Sequence, residues 1–286
     1  MRLGLFGINT DLCALDPQLA VDVAVAAEEA GWESVWTGEH YALPDPPVPA
    51  SPTRPETPFL DPFVALGHLA GATSTLLLGT GVTVVPVHQP VILAKQVVSV
   101  DRLSRGRFLF GVGVGYLEPE FRALGVSLAD RGVRTDDYLD ALQALWTTSS
   151  VHVVGPRVSI SGVTAEPRPV RAGGPPLHVG GASPGALRRT VLRGHGWYGW
   201  AVTPEETAAT VTQLAELADN LDRPAELGAL EISVTPSGRT PLDATLVSAY
   251  AEAGVDRLIV SPPGRVRRDQ EALLRFVRDT PAALLR

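Results

Sequence analysis

The chain is poor in sulfur and has no excess of basic residues. A single cysteine, Cys13, stands among 286 residues. Neither an internal disulfide nor a cysteine-based zinc site can be built from it, and it reads as a small buried hydrophobe in a reducing compartment. Lys and Arg number 24 against 31 Asp and Glu, a formal net charge of -7. That balance lacks the basic face from which a nucleic-acid binder gains by releasing counterions. No apolar run reaches the roughly 18 to 20 residues of a membrane span, because Gly, Pro or a charge interrupts each one. The opening stretch MRLGLFGINTDLC has one basic residue, a short apolar run and an early acid, a poor match to a secretion signal. These absences together predict a cytoplasmic protein without a nucleic-acid or membrane partner.

What is present is a rhythm. Hydrophobic residues make up 45% of the chain, and the 28 glycines and 25 prolines are dispersed, as connecting loops require. Apolar runs at 3–8, 34–37, 76–85, 108–112, 176–180, 196–202, 231–234 and 257–260 read as strands. Helical patterns fall between most of them: from Asp16-Pro17 to Gly31, from Asp61-Pro62, 90–104, 131–146, from Pro184, 204–220, 241–253 and a last one at the C-terminus. Several open on a polar cap followed by proline. The strands are apolar throughout, the mark of strands covered on both faces in a parallel sheet. About eight βα units in one chain predict an α/β fold, a single (β/α)8 TIM-type barrel domain over residues 1–286. Two segments break the rhythm: a proline-rich loop at 43–58 after the second strand, a lid candidate, and VHVVGPRVSI at 151–160. The latter reads as a hairpin turning at Gly155-Pro156.

Barrels place their chemistry where strands end at the C-terminal side. The second strand ends in Glu39-His40, and imidazole beside a carboxylate is a proton donor or acceptor near neutral pH. Among the other histidines, His178 reads as a core group and His152 as an exposed hairpin residue. His68 falls on a helix, and His88 caps or borders one. No two histidines have the i, i+4 spacing of a metal pair, so no metal is expected. The fourth strand ends in Gly111-x-Gly113-x-Gly115, which lacks the dinucleotide fingerprint. It reads as a strand end stripped of side chains so that a large flat group can lie against the backbone. Gly180-Gly181-Ala182-Ser183 before Pro184 offers N–H groups at a helix N-terminus, a seat for phosphate. Together the two motifs favour a phosphorylated planar cofactor. Tyr41, Tyr116, Trp197 and Trp200 with the proline-rich loop would line a pocket for a small organic substrate with an apolar body. Arg265, after the eighth strand, has two readings, an anion contact or part of a solvated helix face with Asp269 and Glu271 as partners.

Several stretches carry a family resemblance: 76–116, with Asp101-x-Leu103-Ser104-x-Gly106-Arg107 followed by GVGVG; Ala30-Gly31-Trp32 to Glu39-His40; and PPLHVGGASPGALRR at 175–189. The sequence resembles the luciferase-like superfamily, whose barrels bind reduced flavin or the deazaflavin coenzyme F420. The resemblance implies a non-proline cis bond at Gly81-Val82 in a bulge that props the cofactor ring. It places Gly81, Val82, Thr83, Gly113, Val114, Gly115 and Tyr116 along the cofactor, and Gly180, Gly181, Ala182 and Ser183 at its phosphate. It implies Glu39 and His40 as an acid–histidine pair over ring and substrate, while Asp101 and Arg107 pack a helix-to-strand corner. Tyr116 stands where sugar-phosphate dehydrogenases of the family have a catalytic glutamate, which argues against that activity. Glu39 replaces a common Asp, and His195 stands where an Asp is frequent. The implied function is an F420-dependent oxidoreductase moving hydride to or from an organic substrate. An FMN monooxygenase using oxygen is the alternative, and a cofactor-binding protein without turnover a second. Homodimers are common in the family.

Overall fold

The structure, a computed structural model, describes residues 1–238 and 242–284. In chain order the elements are β1 (Arg2–Phe6), α1 (Leu12–Leu15), α2 (Pro17–Ala30), β2 (Ser34–Thr37), α3 (Pro62–Ala70), β3 (Leu77–Thr80), β4 (Thr83–Val84) and α4 (Pro90–Leu103). Next come β5 (Phe108–Gly113), α5 (Glu118–Ala123), α6 (Arg131–Thr147), β6 (Val151–Gly155), β7 (Val158–Val163), β8 (Leu177–Gly180) and α7 (Pro184–Arg193). The last are β9 (Gly196–Val202), α8 (Pro204–Asn220), β10 (Glu231–Pro236), α9 (Ala244–Glu252), β11 (Arg257–Val260) and α10 (Gln270–Leu284).

The barrel strands run parallel in the order β3-β2-β1-β11-β10-β9-β8-β5-β4, and β3 also pairs with β5. That pairing closes the ring. Since β3 and β4 are two halves of one staves' worth of chain, the result is a closed barrel of eight parallel strands with helices outside. Local chemistry explains the boundaries. Asp16 accepts from the N–H groups of Gln18 and Leu19, Pro17 opens α2, and Gly31 ends it at φ 88°; Thr203 and Glu206 form a reciprocal capping box on α8.

Three features depart from the sequence expectations. The single apolar strand expected at 76–85 is split at Gly81–Val82, where the cis peptide bond implied by the resemblance is present. The short helix α5 was not signalled: its six residues are too few for apolar periodicity to show. The helix expected from Pro241, a position outside the described residues, begins at Ala244, capped by Asp243. The hairpin is present as antiparallel β6 and β7.

The barrel interior is filled, not hollow. Trp36 stacks on Tyr198 with ring centroids 5.6 Å apart, and Leu109 and Ile259 complete that layer. A Cβ on Gly79 would lie 2.6 Å from the Trp36 ring, so glycine there makes room for the indole. Beneath lies Arg257, fully buried, which pairs with Glu33 and Glu231 and donates to Ser233 Oγ at 2.9 Å. His178 is a core group as expected, yet only partly satisfied: Nε2 is 3.5 Å from Glu231 and Nδ1 has no partner. Burial pushes its pKa down to about 3, which keeps it neutral. Arg107 collects the last carbonyls of α3 and α4 (Ala70 O at 2.9 Å, Ser104 O at 2.8 Å), while Asp101 accepts from Val170 N at 2.6 Å. Both therefore pack the helix-to-strand corner.

Candidate active site

The site grows from the loop after β1. Asn9, buried, donates to the carbonyls of Gly38 and Leu60 (2.8 Å each) and accepts from Gly38 N at 3.0 Å. This fixes the backbone where β2 ends and ties the proline-rich loop to it. Just past Gly38, Glu39 and His40 bond to different groups. The expected contact between them is not made, and each finds another partner.

His40 Nδ1 lies 3.0 Å from Glu120 Oε2, on α5. The other Glu120 oxygen accepts from the backbone N–H of Tyr41 at 2.6 Å and of Ala42 at 3.3 Å. A carboxylate partner assigns the proton of the neutral imidazole to Nδ1 and leaves Nε2 as an acceptor. Among the described residues no protein group hydrogen-bonds to Nε2. Phe59 and Tyr116 hold the ring edge-on at 5.4 and 6.3 Å. Glu120 was missed from sequence: it sits on the unsignalled helix, 80 residues from His40, and a lone Glu at a helix start reads as a dipole-favoured surface residue.

Glu39 turns inward, its side chain only 2% exposed. It accepts from Val84 N at 2.5 Å, from His88 Nε2 at 3.1 Å and from the Tyr41 hydroxyl at 3.3 Å. Burial, with the Glu39 charge adding to it, raises the Tyr41 pKa, so the hydroxyl stays a donor. His88 does border the turn before α4, as expected, but its imidazole belongs to this buried group.

The glycine run packs closely against its neighbours. A Cβ on Gly111 would lie 1.8 Å from the Thr80 carbonyl oxygen, and one on Gly113 would lie 2.6 Å from Val82 Cγ2. Gly115, at φ +74°, would meet Phe121 at 2.5 Å and Val84 at 2.6 Å. The bare strand end accommodates the β3–β4 bulge and α5. Val82 is only partly buried and covers both Gly113 and Gly180, whose Cβ would lie 3.0 Å from Val82 Cγ1. Thr83 is fully buried and presents no side chain to the barrel mouth; its Oγ1 has no partner.

On the opposite rim, Gly181, Ala182 and Ser183 are exposed at the start of α7. Ser183 Oγ accepts from Ala186 N at 3.3 Å. Among the described residues the N–H groups of Ala182 and Ser183 have no protein acceptor. Trp197 is fully buried and donates to Gly181 O at 2.8 Å, so it props this turn from behind and does not line a pocket. The aromatic side chains that do open on the mouth are Tyr41, Tyr116 and Trp200, 44, 53 and 52% exposed. Phe6 packs on Trp200 at 4.7 Å. Val114 is half-buried between the glycines. His195 lies at the other end of β9, accepting from Leu177 N at 3.1 Å. Arg265 is exposed; Glu271 pairs with Arg275, and Asp269 caps the last helix. No group of side chains able to hold a metal occurs among the described residues.

A closed barrel with a bulged third strand, an imidazole after its second strand and an exposed helix N-terminus after β8 is a specific combination. Residues 6–280 match the family model of the luciferase-like monooxygenases. The chain belongs to that family. A 4-hydroxyprotoasukamycin monooxygenase of Streptomyces nodosus subsp. asukaensis is 30% identical over 244 residues, covering 80% of this chain and 63% of its own. Among solved structures, the monooxygenase RslO1 from Streptomyces bottropensis superposes with a TM-score of 0.77 at 19% identity, over 100% of this chain and 99% of its own. An F420-dependent secondary alcohol dehydrogenase, solved with an F420-acetone adduct, superposes with a TM-score of 0.75 at 17% identity, over 97 and 98%. The structural neighbours thus include an F420-dependent enzyme and a monooxygenase, and family membership places this chain with the luciferase-like enzymes.

Proposed function

We propose that this luciferase-like protein is an F420-dependent oxidoreductase that moves hydride between the deazaflavin and a small organic substrate. The observation that carries the reading is His40: Glu120 holds Nδ1, and among the described residues no protein group hydrogen-bonds to Nε2. An imidazole so arranged can take or give the proton that accompanies hydride transfer at an alcohol or carbonyl oxygen.

The residues present fit a phosphorylated ring cofactor. The exposed N–H groups of Ala182 and Ser183 stand at the positive end of α7, with Gly180 and Gly181 forming the turn, and would hold phosphate. Val82, with Gly81 behind it, would back the ring, and Val114, Gly115 and Tyr116 would border it. When bound, the deazaflavin supplies the carbon that gives or accepts hydride. The chain's own part is to orient the substrate oxygen toward His40 Nε2 and to surround it with the aromatic faces of Tyr41, Tyr116 and Trp200. A cytoplasmic location goes with this reading, where the Cys13 thiol stays reduced. So does a homodimer, for which exposed Val64 on α3 and Ile92 and Leu103 on α4 supply apolar surface.

A second reading, an FMN monooxygenase, is favoured by the 30% identical relative, which is named a monooxygenase. The open mouth weighs against it, since chemistry on an oxygen adduct requires water to be kept out. Turnover separates the two. Anaerobic incubation of oxidised F420 with a panel of secondary alcohols should bleach the cofactor in the presence of the protein. Oxygen uptake with reduced FMN, and no bleaching with any donor, would assign the monooxygenase reading.

A further inference from the structure

We propose that Glu39 is a positioning residue that, together with His88, fixes the β3–β4 bulge behind the cofactor ring. On this view it does not exchange protons with substrate beside His40. The inference rests on the reading that a cofactor ring lies against Val82.

Both Glu39 oxygens are already engaged by donors: Val84 N–H on one, His88 Nε2 and the Tyr41 hydroxyl on the other. The side chain is as buried as a core residue and turned away from His40, whose carboxylate partner is Glu120. A carboxylate in that position reaches the mouth only through the Tyr41 hydroxyl and makes no hydrogen bond to His40. What it does have is a grip on three segments: the end of β2, the bulge at Val84 and the turn before α4. His88 is itself held, its side chain 7% exposed, between Tyr41 (centroids 5.7 Å apart) and Phe63 (6.1 Å). Val84 follows Val82 by two residues, and Val82 is the side chain that fills the space over Gly113 and Gly180. Loss of the bond to Val84 N therefore releases the wall that the ring would touch, and leaves that N–H buried without an acceptor.

Two measurements test this on Glu39→Ala, Glu39→Gln, His88→Ala and the Glu39→Ala/His88→Ala pair. The first is the set of Val82 and Val84 methyl resonances in the cofactor-free protein. Glu39→Ala and His88→Ala should shift both, and Glu39→Gln, which keeps an acceptor for Val84, should restore the Val82 position. The second is F420 affinity by anaerobic fluorescence titration. Each alanine variant should weaken it about tenfold, the pair no more than Glu39→Ala alone, and Glu39→Gln should recover most of the loss. A Val82 methyl unmoved in Glu39→Ala would overturn the proposal. So would a Glu39→Gln protein that binds F420 as the parent does but turns over about a hundredfold more slowly, since that split marks a proton-transfer group. If the parent protein binds neither F420 nor FMN, the reading of the site fails, and the role behind a ring fails with it even where Val82 moves.

Discussion

His40 commits one imidazole nitrogen to Glu120 and keeps the other for the mouth of the barrel. That division of labour makes a specific expectation for single residues. His40→Ala should lower kcat by about a hundredfold or more on any substrate that bleaches F420, with cofactor affinity changed less than about threefold. Glu120→Gln should keep the fold but lose the anionic partner of the ring, and lower kcat by about tenfold through misorientation of His40. Steady-state kinetics beside cofactor titration read both, and unchanged turnover in His40→Ala would remove its role. His40 was legible in the sequence because a histidine ending a barrel strand is a short list. Its partner was not, because adjacency along the chain suggested Glu39, whereas Glu39 is taken up by Val84 N–H and His88, and Glu120 arrives from a helix 80 residues away. Trp197 shows the same limit: its type suggested a pocket, and its strand register buries it.

Among the elements, the helices that open on a cap and proline were legible, and the exceptions have physical reasons. The β3–β4 bulge reads as one apolar strand because Leu76 to Leu78 before it and Val82, Val84 and Val85 after it are apolar, and nothing in apolarity marks where pairing stops. The glycines after β5 do record it, since they make space for Val82, Val84 and Phe121, but from sequence alone that space can equally be given to a ligand. The loop leading into β3 is held by Glu28, which accepts from the N–H groups of Ser74, Thr75 and Leu76 and from the Thr75 hydroxyl. Burial opposes the charge there, but these hydrogen bonds outweigh it and bring the Glu28 pKa down to about 2. A carboxyl depressed in the folded state stabilises fully above its unfolded value near 4.5, and that contribution fades as pH falls toward 2. Glu28→Gln should therefore cost about 1 kcal/mol at pH 7, a modest figure because the group is partly solvated. The gap between the two proteins should narrow from pH 4.5 downward. Denaturant unfolding at several pH values measures it, and a gap independent of pH would contradict the assignment.

At the scale of the whole molecule, the barrel separates stability from chemistry along its axis. The floor is an ion-pair group around Arg257, the middle a stack of Trp36 and Tyr198, and the mouth carries His40 and the exposed aromatics. Arg257→Ala strands Glu33 and Glu231 near the barrel floor without their shared partner. It should destabilise the protein by about 3 kcal/mol while the folded fraction binds cofactor normally. Thermal unfolding with a binding titration below the transition tests this, and a variant of full stability but lost binding would place the floor group in the site. The architecture was legible because eight mostly apolar strands in one chain of this length leave few alternatives to a closed barrel. The choice of cofactor was not, because both kinds of ring ask for the same things: a flat wall, an anion seat and a proton group.

That choice is the central claim, and one measurement addresses it directly: anaerobic titration of the purified protein with F420 and, separately, with FMN, followed by fluorescence. The account predicts micromolar binding of F420 and weaker binding of FMN, with His40→Ala leaving F420 affinity nearly unchanged. Tight binding of FMN without binding of F420 would contradict it and move the protein to the oxygen-using branch of the family.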